Sequence, residues 1–596
     1  MAGQANKIRI IEALKIFSGI LVLGVMLWET FSEYRSLDEV NLQLFRENIH
    51  LILFFLVSFN TLCVLTLVIE RIVRRQLPNR SLCVQMIVGL LSIFVFSGGV
   101  WGFLPRQFYL VSLLLACMPG VFSFISLSDI LKENRRSLQQ GRRVLPGSPA
   151  TIFLTAIFIA VTVSTTLLIT PGSAAKPISF ADAIFTSASA ISITGLTSID
   201  ISSTLTPLGK LVVLADFQVG AMGVMTFIYY ILLMLGRRLN MEDSSTLSSI
   251  LDEEKAFEIP RLLLTIVGVS LLVELIGAVM LYITWQGNPA VPQDLLWFYA
   301  IFHSVSAFCN AGITLFPQGL EQPGIVNNFG GQAIMLTLIL AGTLGFGVYL
   351  EGITRLRKWC KKKVNHRRWS THSWLVIRVN LIVLIVGVVG LALLCLLDHA
   401  EHAHNIGFNV LWESLWNTIG RSAGFNLSDL SEYGPVYHIY MCMLMFVGGN
   451  PAGTGGGVFA PVVAICAMEI VRVLSGRQDL ELHQRRIARH TVERAMATVI
   501  LSILFIIVST VILLLIERLF GEGDVDVMSM LFLEVSAYTT TGYTIISPAE
   551  LTVASKLFIS LNMVFGRMGM FACMLLFIKH QPPQAFRYPE TRLPLN

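Results

Sequence analysis

Four short segments hold the residues of this chain best suited to chemistry, and each centres on a glycine. They read SITGLT, CNAGIT, RSAGFN and TTTGYT, with a small residue before the glycine and a hydroxyl or amide side chain two positions after it. The glycines are Gly195, Gly312, Gly424 and Gly542, at a near-constant spacing of about 115 residues. This spacing indicates four copies of one structural unit, and four copies around one axis would enclose a pore.

The chemistry that these signature segments could supply is coordination of a dehydrated monovalent cation. A ring of backbone carbonyls replaces the water around such an ion without adding fixed charge. Glycine permits the positive-φ backbone that turns successive carbonyls toward one axis. The predicted ligands are the carbonyls of each glycine and of the two residues before it, with K⁺ as the bound ion. They belong to Ile193, Thr194, Gly195, Asn310, Ala311, Gly312, Ser422, Ala423, Gly424, Thr540, Thr541 and Gly542.

A short semi-polar helix is predicted before each glycine, and the four helices align in register. Six positions before the glycines stand Ser189, Ser306, Thr418 and Ser536. Ten positions before them stand Phe185, Phe302, Ser414 and Phe532. Four helix C-termini aimed at one centre would add a favourable potential for a cation.

Composition places the chain in a membrane. Of its 596 residues, 54% are hydrophobic and only 14% are charged, and the mean hydropathy is +0.70. Soluble domains carry about a quarter charged residues, so much of this surface is expected to face lipid. The nine cysteines show no paired metal-type spacing, and a disulfide framework is not expected. The formal charge of +5 bears on topology and not on nucleic-acid binding.

Apolar stretches predict an all-α integral membrane protein with about 12 spans. About four spans fall in 1–149, ahead of four helix–pore-loop–helix repeats around a central pore. The repeats cover 150–240, 259–356, 373–475 and 493–580, and 581–596 forms a tail. Their first helices are expected near 151–171, 260–284, 374–397 and 494–517, and their second helices near 207–235, 332–353, 436–472 and 553–578.

The basic residues predict the orientation. With about twelve spans and a cytoplasmic N-terminus, the segments rich in Lys and Arg fall on the inside, as the positive-inside rule requires. Both termini are then cytoplasmic, in a multi-pass protein of the cell membrane. The count holds only if each signature segment enters and leaves from the outside. Backbone of that kind is tolerated at membrane depth only where it lines a cavity, which favours four pore loops.

These motifs resemble those of the Trk/Ktr/HKT superfamily of potassium transporters, whose single chain holds four such repeats. SAFCNAGIT and RSAGFN are similar to the second and third filter segments of that family, and QVGAMGVM, AGTLGFGV and GRMG are similar to its glycine-rich second helices. The resemblance covers roughly 150–579. It implies K⁺ uptake, a homodimer, a separate cytoplasmic nucleotide-binding regulatory subunit, and no cofactor in this chain.

Two features depart from the family and one favours K⁺. The family usually has fewer spans ahead of the first repeat, so no role is assigned to 1–149. Val458 stands where the resemblance predicts a lysine. In plant members a serine in the first copy accompanies sodium preference, so Gly195 favours potassium.

The segment GGNPAGTGGGV, at 448–458, interrupts an apolar stretch. It cannot form a stable helix, because glycine costs about 1 kcal/mol and proline about 3 kcal/mol per helical position. A transmembrane kink is one interpretation. The other, which the resemblance implies, is a loop that blocks or opens the path beneath the filter. Its glycines are Gly448, Gly449, Gly453, Gly455, Gly456 and Gly457.

Arg567 lies near the middle of the last apolar stretch, where a charge needs water or a partner. One hypothesis places it beside the cavity below the filter, as a barrier to cations. The alternative pairs it with a carboxylate or with carbonyls of the glycine-rich loop.

Weaker signals and rival functions remain open. Arg421 is expected to brace the third signature segment, while Glu413 and Glu534 could attract cations or simply hydrogen-bond nearby backbone. An external cluster could bind a divalent metal, although a solvated loop is favoured. It comprises Asp398, His399, Glu401, His402 and His404. The rivals are a sodium-selective or non-selective pore, an alternating-access carrier, and a membrane enzyme. The carrier and the enzyme need ionisable clusters that the sequence scarcely offers, so no enzyme activity is expected.

Overall fold

The computed structural model describes 149–223, 259–360, 369–398, 408–521 and 526–569, except for 171, 452, 483 and 484, together with five residues between 58 and 65. Apart from those five residues, which are helical, the four spans predicted in 1–149 lie outside the described residues, as does the tail 581–596.

The described chain is almost entirely helical. Its helices are α1 (Pro149–Ile169), α2 (Phe180–Ser192), α3 (Ile201–Thr204), α4 (Pro207–Ala221), α5 (Ile259–Trp285), α6 (Leu296–Cys309), α7 (Phe329–Thr343), α8 (Phe346–Cys360), α9 (Thr371–Asp398), α10 (Phe408–Gly420), α11 (Pro435–Phe446), α12 (Ala460–Leu474), α13 (Arg489–Phe520), α14 (Val527–Thr539) and α15 (Val553–Met568). Short 3-10 turns lie at Gln293–Leu295, Gly319–Glu321, Leu430–Glu432 and Pro548–Glu550.

One order of elements occurs four times along the chain. A long helix (α1, α5, α9 or α13) precedes a short helix (α2, α6, α10 or α14), then a signature segment, then a second helix (α4, α7, α11 or α15). We call each set a unit, numbered 1 to 4. Within the described residues, three helices are long and apolar enough to cross a membrane, or four if the bent pair α7–α8 counts as one span. The outer faces of α9 and α13 expose many leucines, isoleucines and valines, as expected for contact with lipid.

The second helix of unit 2 is broken where the sequence predicts a continuous one. The helix expected near 332–353 breaks between Thr343 and Phe346 and bends by 95°. Gly345 occupies the break with φ +83, which an L side chain rarely adopts. In units 1 and 4 the second helix ends before Gly223 and Gly569, whose φ values are +73 and +80, and the rest of each predicted stretch, 224–235 and 570–578, lies outside the described residues. Hydropathy did not predict the break in unit 2, because the residues on both sides of it remain apolar.

The four units pack in a closed ring. The second helix of each unit lies against the short helix of the next, and α15 of unit 4 lies against α2 of unit 1. Side chains join each pair: Phe217 to Phe302 and His438 to Phe532 as edge-on rings, Trp412 Nε1 donating to Gln332 Oε1 at 2.6 Å, and Lys556 Nζ to Asp182 Oδ1 at 2.8 Å.

A small hairpin is the one departure from helix in the described part of the chain that sequence reasoning missed. Its strands are β1 (Glu481–Leu482) and β2 (Arg485–Arg486), which pair antiparallel between α12 and α13. The prediction of an all-α membrane protein is confirmed all the same, because the other regular structure of the described residues is helical. Strands of two residues are too short to leave a detectable alternation of polar and apolar side chains.

Candidate functional site

The short helices of units 1, 2 and 4 end in the same backbone turn. Ile193, Asn310 and Thr540 follow these helices in the left-handed conformation, with φ of 59°, 59° and 52°. Their N–H groups return to carbonyls of the preceding helix, which satisfies the helix end and reverses the chain. In unit 3 the corresponding residue, Ser422, lacks a positive φ, so this unit reaches the same place by a different turn.

The four signature glycines touch one another in a ring. Each has a positive φ, and a Cβ added to any of them would strike the carbonyl of the residue before the next unit's glycine. The distances from the added Cβ are 2.6 Å for Gly195 to Ala311 O, 2.3 Å for Gly312 to Ala423 O, 2.3 Å for Gly424 to Thr541 O and 2.2 Å for Gly542 to Thr194 O. Any side chain larger than hydrogen would therefore push the ring apart.

Serines of the short helices hold this backbone in place. Ser189 Oγ accepts a hydrogen bond from Gly195 N–H at 3.0 Å, and Ser536 Oγ accepts one from Gly542 N–H at 3.0 Å. Within the described residues, none of the twelve carbonyls that the sequence predicts as ligands accepts a hydrogen bond from the protein. Their oxygens are thus free to coordinate a cation.

A cavity of about 290 Å³ lies where the chain leaves the ring. It is lined by Gly195, Gly312 and Gly424, and by polar side chains beyond them, including Asp200 and Glu321. At Glu321, burial together with Asp429 and Glu432 raises the carboxyl pKa above its ordinary value. This end of the site is therefore polar and rich in carboxylates.

The glycine-rich loop, residues 448–458, folds back on itself between α11 and α12. Gly448 N–H donates to Val458 O at 2.8 Å, and Gly449 N–H donates to Gly456 O at 3.0 Å. A Cβ on Gly448 would lie 2.1 Å from Gly456 O, so the two arms can approach only because this position is glycine.

This loop crosses from one side of the ring to the other. A Cβ on Gly455 would lie 3.6 Å from Asn310 Nδ2, and one on Gly456 would lie 2.1 Å from Thr540 Oγ1. Asn310 belongs to unit 2 and Thr540 to unit 4, and these units face each other in a ring of four. Two consecutive residues of the loop therefore lie across the centre, directly against the signature segments.

Thr454 is the main anchor of the loop. Its N–H donates to Gly342 O at 3.1 Å and its Oγ1 donates to Phe308 O at 3.1 Å. Asn310 Nδ2 donates to the same Oγ1 at 2.9 Å. A second anchor is Asn450, whose Nδ2 donates to Thr343 O at 2.7 Å. Both anchors attach the loop to the broken end of α7.

Two arginines also hold the loop. Arg567 donates from Nη1 to Thr454 O at 2.6 Å and from Nη2 to Gly220 O at 2.8 Å, so it contacts a loop carbonyl, as one of the two alternatives stated. Arg421 donates to the carbonyls of Val447 and Gly448. Its side chain thus braces the backbone at the start of the glycine-rich loop, whereas the sequence analysis expected it to brace the third signature segment.

Three glycines of the motifs QVGAMGVM, AGTLGFGV and GRMG make backbone contacts that sequence reasoning did not predict. A Cβ on Gly220, Gly342 or Gly566 would strike the carbonyl four residues before a signature glycine. The distances are 2.2 Å to Ile191 O, 2.0 Å to Phe308 O and 1.8 Å to Tyr538 O, respectively. A signal was present, because each of these glycines is followed three residues later by the positive-φ glycine that ends the helix.

The carboxylates of buried Glu534 and half-buried Glu413 accept hydrogen bonds within the helix packing. Glu534 accepts from Ser509 at 2.7 Å and from Asn562 at 2.9 Å, and Glu413 accepts from two neighbouring hydroxyls. These partners are side chains and not the nearby backbone that the sequence interpretation considered. Residues 399–407 of the external cluster lie outside the described residues. Elsewhere in the described chain no group of three or more His, Cys, Asp or Glu suits a metal.

The long apolar helices, packed around short helices and a buried ring of loops, define a multi-pass α-helical membrane protein. More narrowly, the chain belongs to the TrkH family of cation transport proteins, whose model matches residues 116–588. It is therefore a cation transporter and not an enzyme, and the resemblance to the Trk/Ktr superfamily is confirmed.

Individual relatives agree with this assignment. The chain is 28% identical over 445 residues to Ktr system potassium uptake protein B of Vibrio alginolyticus, covering 74% of this chain and 94% of the relative. It is 25% identical over 460 residues to the potassium/sodium uptake protein NtpJ of Enterococcus hirae, covering 75% and 97%. The structure of the potassium transporter TrkH from Vibrio parahaemolyticus matches with a TM-score of 0.57 at 16% identity, covering 83% and 97%, which shows a shared fold.

Proposed function

We propose that this chain takes up K⁺ through the ring of signature segments, which acts as a selectivity filter between four helix–pore-loop–helix repeats. The ligands would be the carbonyls of the twelve residues predicted from the sequence. The closed ring of glycine contacts carries this proposal, because it brings four free carbonyl-bearing segments to one axis. The twelve-span arrangement, with both termini cytoplasmic, is part of the same proposal.

The relatives favour potassium without excluding sodium. Two of the proteins compared above are named for potassium and a third for potassium or sodium uptake. All four copies of the filter keep glycine here, which by resemblance favours potassium. A sodium-selective, non-selective or ion-coupled transporter of the same superfamily is the second candidate, and the name of NtpJ is the observation that favours it.

The glycine-rich loop would be the gate. Its path across the ring, and its anchors on units 2, 3 and 4, support a closed barrier beneath the filter. The gate residues are those predicted from the sequence: Gly448, Gly449, Gly453, Gly455, Gly456, Gly457 and Arg567. Arg567 would add positive charge to the barrier as well as hold the loop.

Partners and location complete the proposal. The resemblance implies a homodimer in the plasma or inner membrane and a cytoplasmic nucleotide-binding subunit that moves the gate. The relative from Vibrio alginolyticus is named protein B of a Ktr system, and this name is consistent with a system of more than one component.

Rubidium uptake into liposomes tests the filter. Purified wild type is expected to take up Rb⁺ in competition with K⁺ more than with Na⁺ or Li⁺. In Gly195→Ser the added Cβ would strike Ala311 O, so uptake should fall at least about tenfold or become sensitive to Na⁺. The matched control is Gly268→Ser on α5, where a Cβ meets nothing within 4 Å.

Each outcome has a distinct meaning. Equal K⁺ and Na⁺ competition in wild type would favour the second candidate. Normal, K⁺-selective uptake by Gly195→Ser would contradict the filter. If wild type shows no uptake, replacing the loop between Gly448 and Gly457 with a short linker separates a closed gate from a wrong assignment, since only a closed gate would be released.

A further inference from the structure

Two side-chain oxygens have no hydrogen-bond partner at the inner end of the ring, the end that faces the glycine-rich loop. Asn310 and Thr540 are the residues two before their signature glycines, and both are buried, with 0% and 1% exposed. Among the described residues, Asn310 Oδ1 and Thr540 Oγ1 have no partner. A buried polar atom left in this way costs about 1–3 kcal/mol, so such atoms normally face an ion or water.

The hydrogen bonds of Thr454 fix which way the Asn310 amide points. Thr454 Oγ1 donates its proton to Phe308 O at 3.1 Å, so toward Asn310 it can only accept. The atom of Asn310 that faces Thr454 must then be Nδ2, the donor, at 2.9 Å. Oδ1 is directed elsewhere as a free acceptor.

The two oxygens occupy matching places on opposite sides of the ring. Both residues contact the crossing of the glycine-rich loop, at Gly455 for Asn310 and at Gly456 for Thr540.

The other two units differ at the matching position. In unit 1 it is Ile193, which has no side-chain oxygen and packs against Gly220, and in unit 3 the Ser422 hydroxyl is directed to Ile419 O by a hydrogen bond of 3.2 Å. Of these four matching residues, Asn310 and Thr540 are the two with a side-chain oxygen that lacks a partner among the described residues.

We propose a cation-binding site at this inner end, with Asn310 Oδ1 and Thr540 Oγ1 as side-chain ligands below the carbonyl ring and the glycine-rich loop as its floor. The site rests on the proposed function, because its ligand is the transported monovalent cation. Neutral oxygens that accept no hydrogen bond suit such an ion, since they replace its water without adding fixed charge. Asn310 then serves two partners at once, the ion through Oδ1 and the gate loop through Nδ2.

Equilibrium binding of radioactive Rb⁺ to the purified full-length protein tests the site. Thr540→Val replaces the hydroxyl with a methyl group of the same shape and should weaken Rb⁺ binding about tenfold, the value of one ligand. Asn310→Asp replaces the amide oxygen with a charged one and should tighten Rb⁺ binding. The matched control is Thr186→Val, which removes another buried, unpartnered hydroxyl from the short helix of unit 1.

The outcomes separate this site from the proposed function. Weaker binding in Thr540→Val, with wild-type binding in Thr186→Val, supports the site. Unchanged affinity in both Thr540→Val and Asn310→Asp overturns it and leaves only water at these oxygens. Should Thr540→Val fail to fold, the opposite shift expected for Asn310→Asp still decides. Rb⁺ uptake into liposomes is measured separately. If the wild type binds Rb⁺ with an affinity that depends on Thr540 but does not transport it, the proposed uptake function is contradicted and the binding site is not.

Discussion

At the scale of single residues, two sets of glycines determine where the backbone can go. The signature glycines let four loops meet, and Gly220, Gly342 and Gly566 let the second helices lie directly on the ends of the short helices. The first set was predictable, since a repeated motif reveals it. The motifs of the second set were recognised, but their contacts were not predictable, because a glycine in an apolar helix does not specify which carbonyl it approaches.

Gly566→Ala tests this second set. The added methyl group would lie 1.8 Å from Tyr538 O, a backbone atom that cannot rotate away. We expect a loss of at least about 1–3 kcal/mol in the free energy of unfolding, the usual cost of overpacking. The measurement is the thermal unfolding midpoint of the purified protein in detergent.

The control for this substitution is Gly347→Ala on α8, where a Cβ meets nothing within 4 Å. That change should be neutral or stabilising by up to about 1 kcal/mol, because alanine is the better helix former. A Gly566→Ala protein that melts with wild type would show that the helix can shift to accommodate the methyl group.

At the scale of elements, the broken second helix of unit 2 and the glycine-rich loop depend on each other. In a continuous helix the carbonyls of Gly342 and Thr343 would accept hydrogen bonds from residues four positions later. Here Thr454 N–H and Asn450 Nδ2 occupy those carbonyls. The loop therefore supplies the donors that the bend at Gly345 removes, and straightening the helix would release the loop.

Asn450→Leu tests this dependence. The substitution removes the donor to Thr343 O and the acceptor for Asn380 while keeping a similar volume. If the loop is the gate, losing about 1 kcal/mol of anchoring should raise Rb⁺ uptake about fivefold. Uptake into liposomes without any partner protein is the measurement.

A matched change at the other end of the same helix controls for lost stability. Asn328 caps α7 by accepting from Gly331 N–H at 2.8 Å, so Asn328→Leu also removes an amide but leaves the loop anchored. It should lower the unfolding midpoint without faster uptake. Equal uptake rates in the two variants would show that loosening the glycine-rich loop does not open the pathway, and would contradict its role as the gate.

The elements also show where sequence reasoning succeeds and where it stops. The long helix expected near 260–284 is Ile259–Trp285, because apolar length and flanking polar residues determine such a helix. The bend after Thr343 was missed, because hydropathy measures how apolar a stretch is and not whether its hydrogen bonds continue. The glycine-rich loop was recognised from composition, yet its anchor Thr454 was not, because its partners are up to 146 positions away.

At the scale of the whole molecule, the ring must close between the last unit and the first. The repeat in sequence predicts four units around one axis, but it does not identify the side chains through which unit 4 contacts unit 1. The ion pair between Lys556 on α15 and Asp182 on α2 lies at this closure, 374 positions apart, with only 10% and 19% of the two side chains exposed. It should therefore be screened less than a surface pair.

Lys556→Met tests how much this ion pair stabilises the fold, and the stabilisation should depend on pH in a direction that the pKa of Asp182 determines. Burial raises the pKa of Asp182, but hydrogen bonds from Lys556, Ser179 and Ser198 and the Lys556 charge outweigh it, so the pKa lies below its ordinary value of 3.8. The pair then stabilises the fold above pH 3.8, and this stabilisation is lost as pH falls through the lower, folded pKa. Near neutral pH the loss should be about 1 kcal/mol.

The measurement is the unfolding midpoint of wild type and Lys556→Met from pH 7 down to about pH 3, below the ordinary Asp pKa. The two curves should be separated at neutral pH and begin to converge below pH 3.8, where the unfolded state takes up the proton that paired Asp182 resists. Lys176→Met removes an equal charge from an exposed position near the start of α2 and should show no such convergence. A separation that stays constant to the lowest pH would mean that the lysine acts through its packing and not through its charge, so that the ring is closed by helix contact alone.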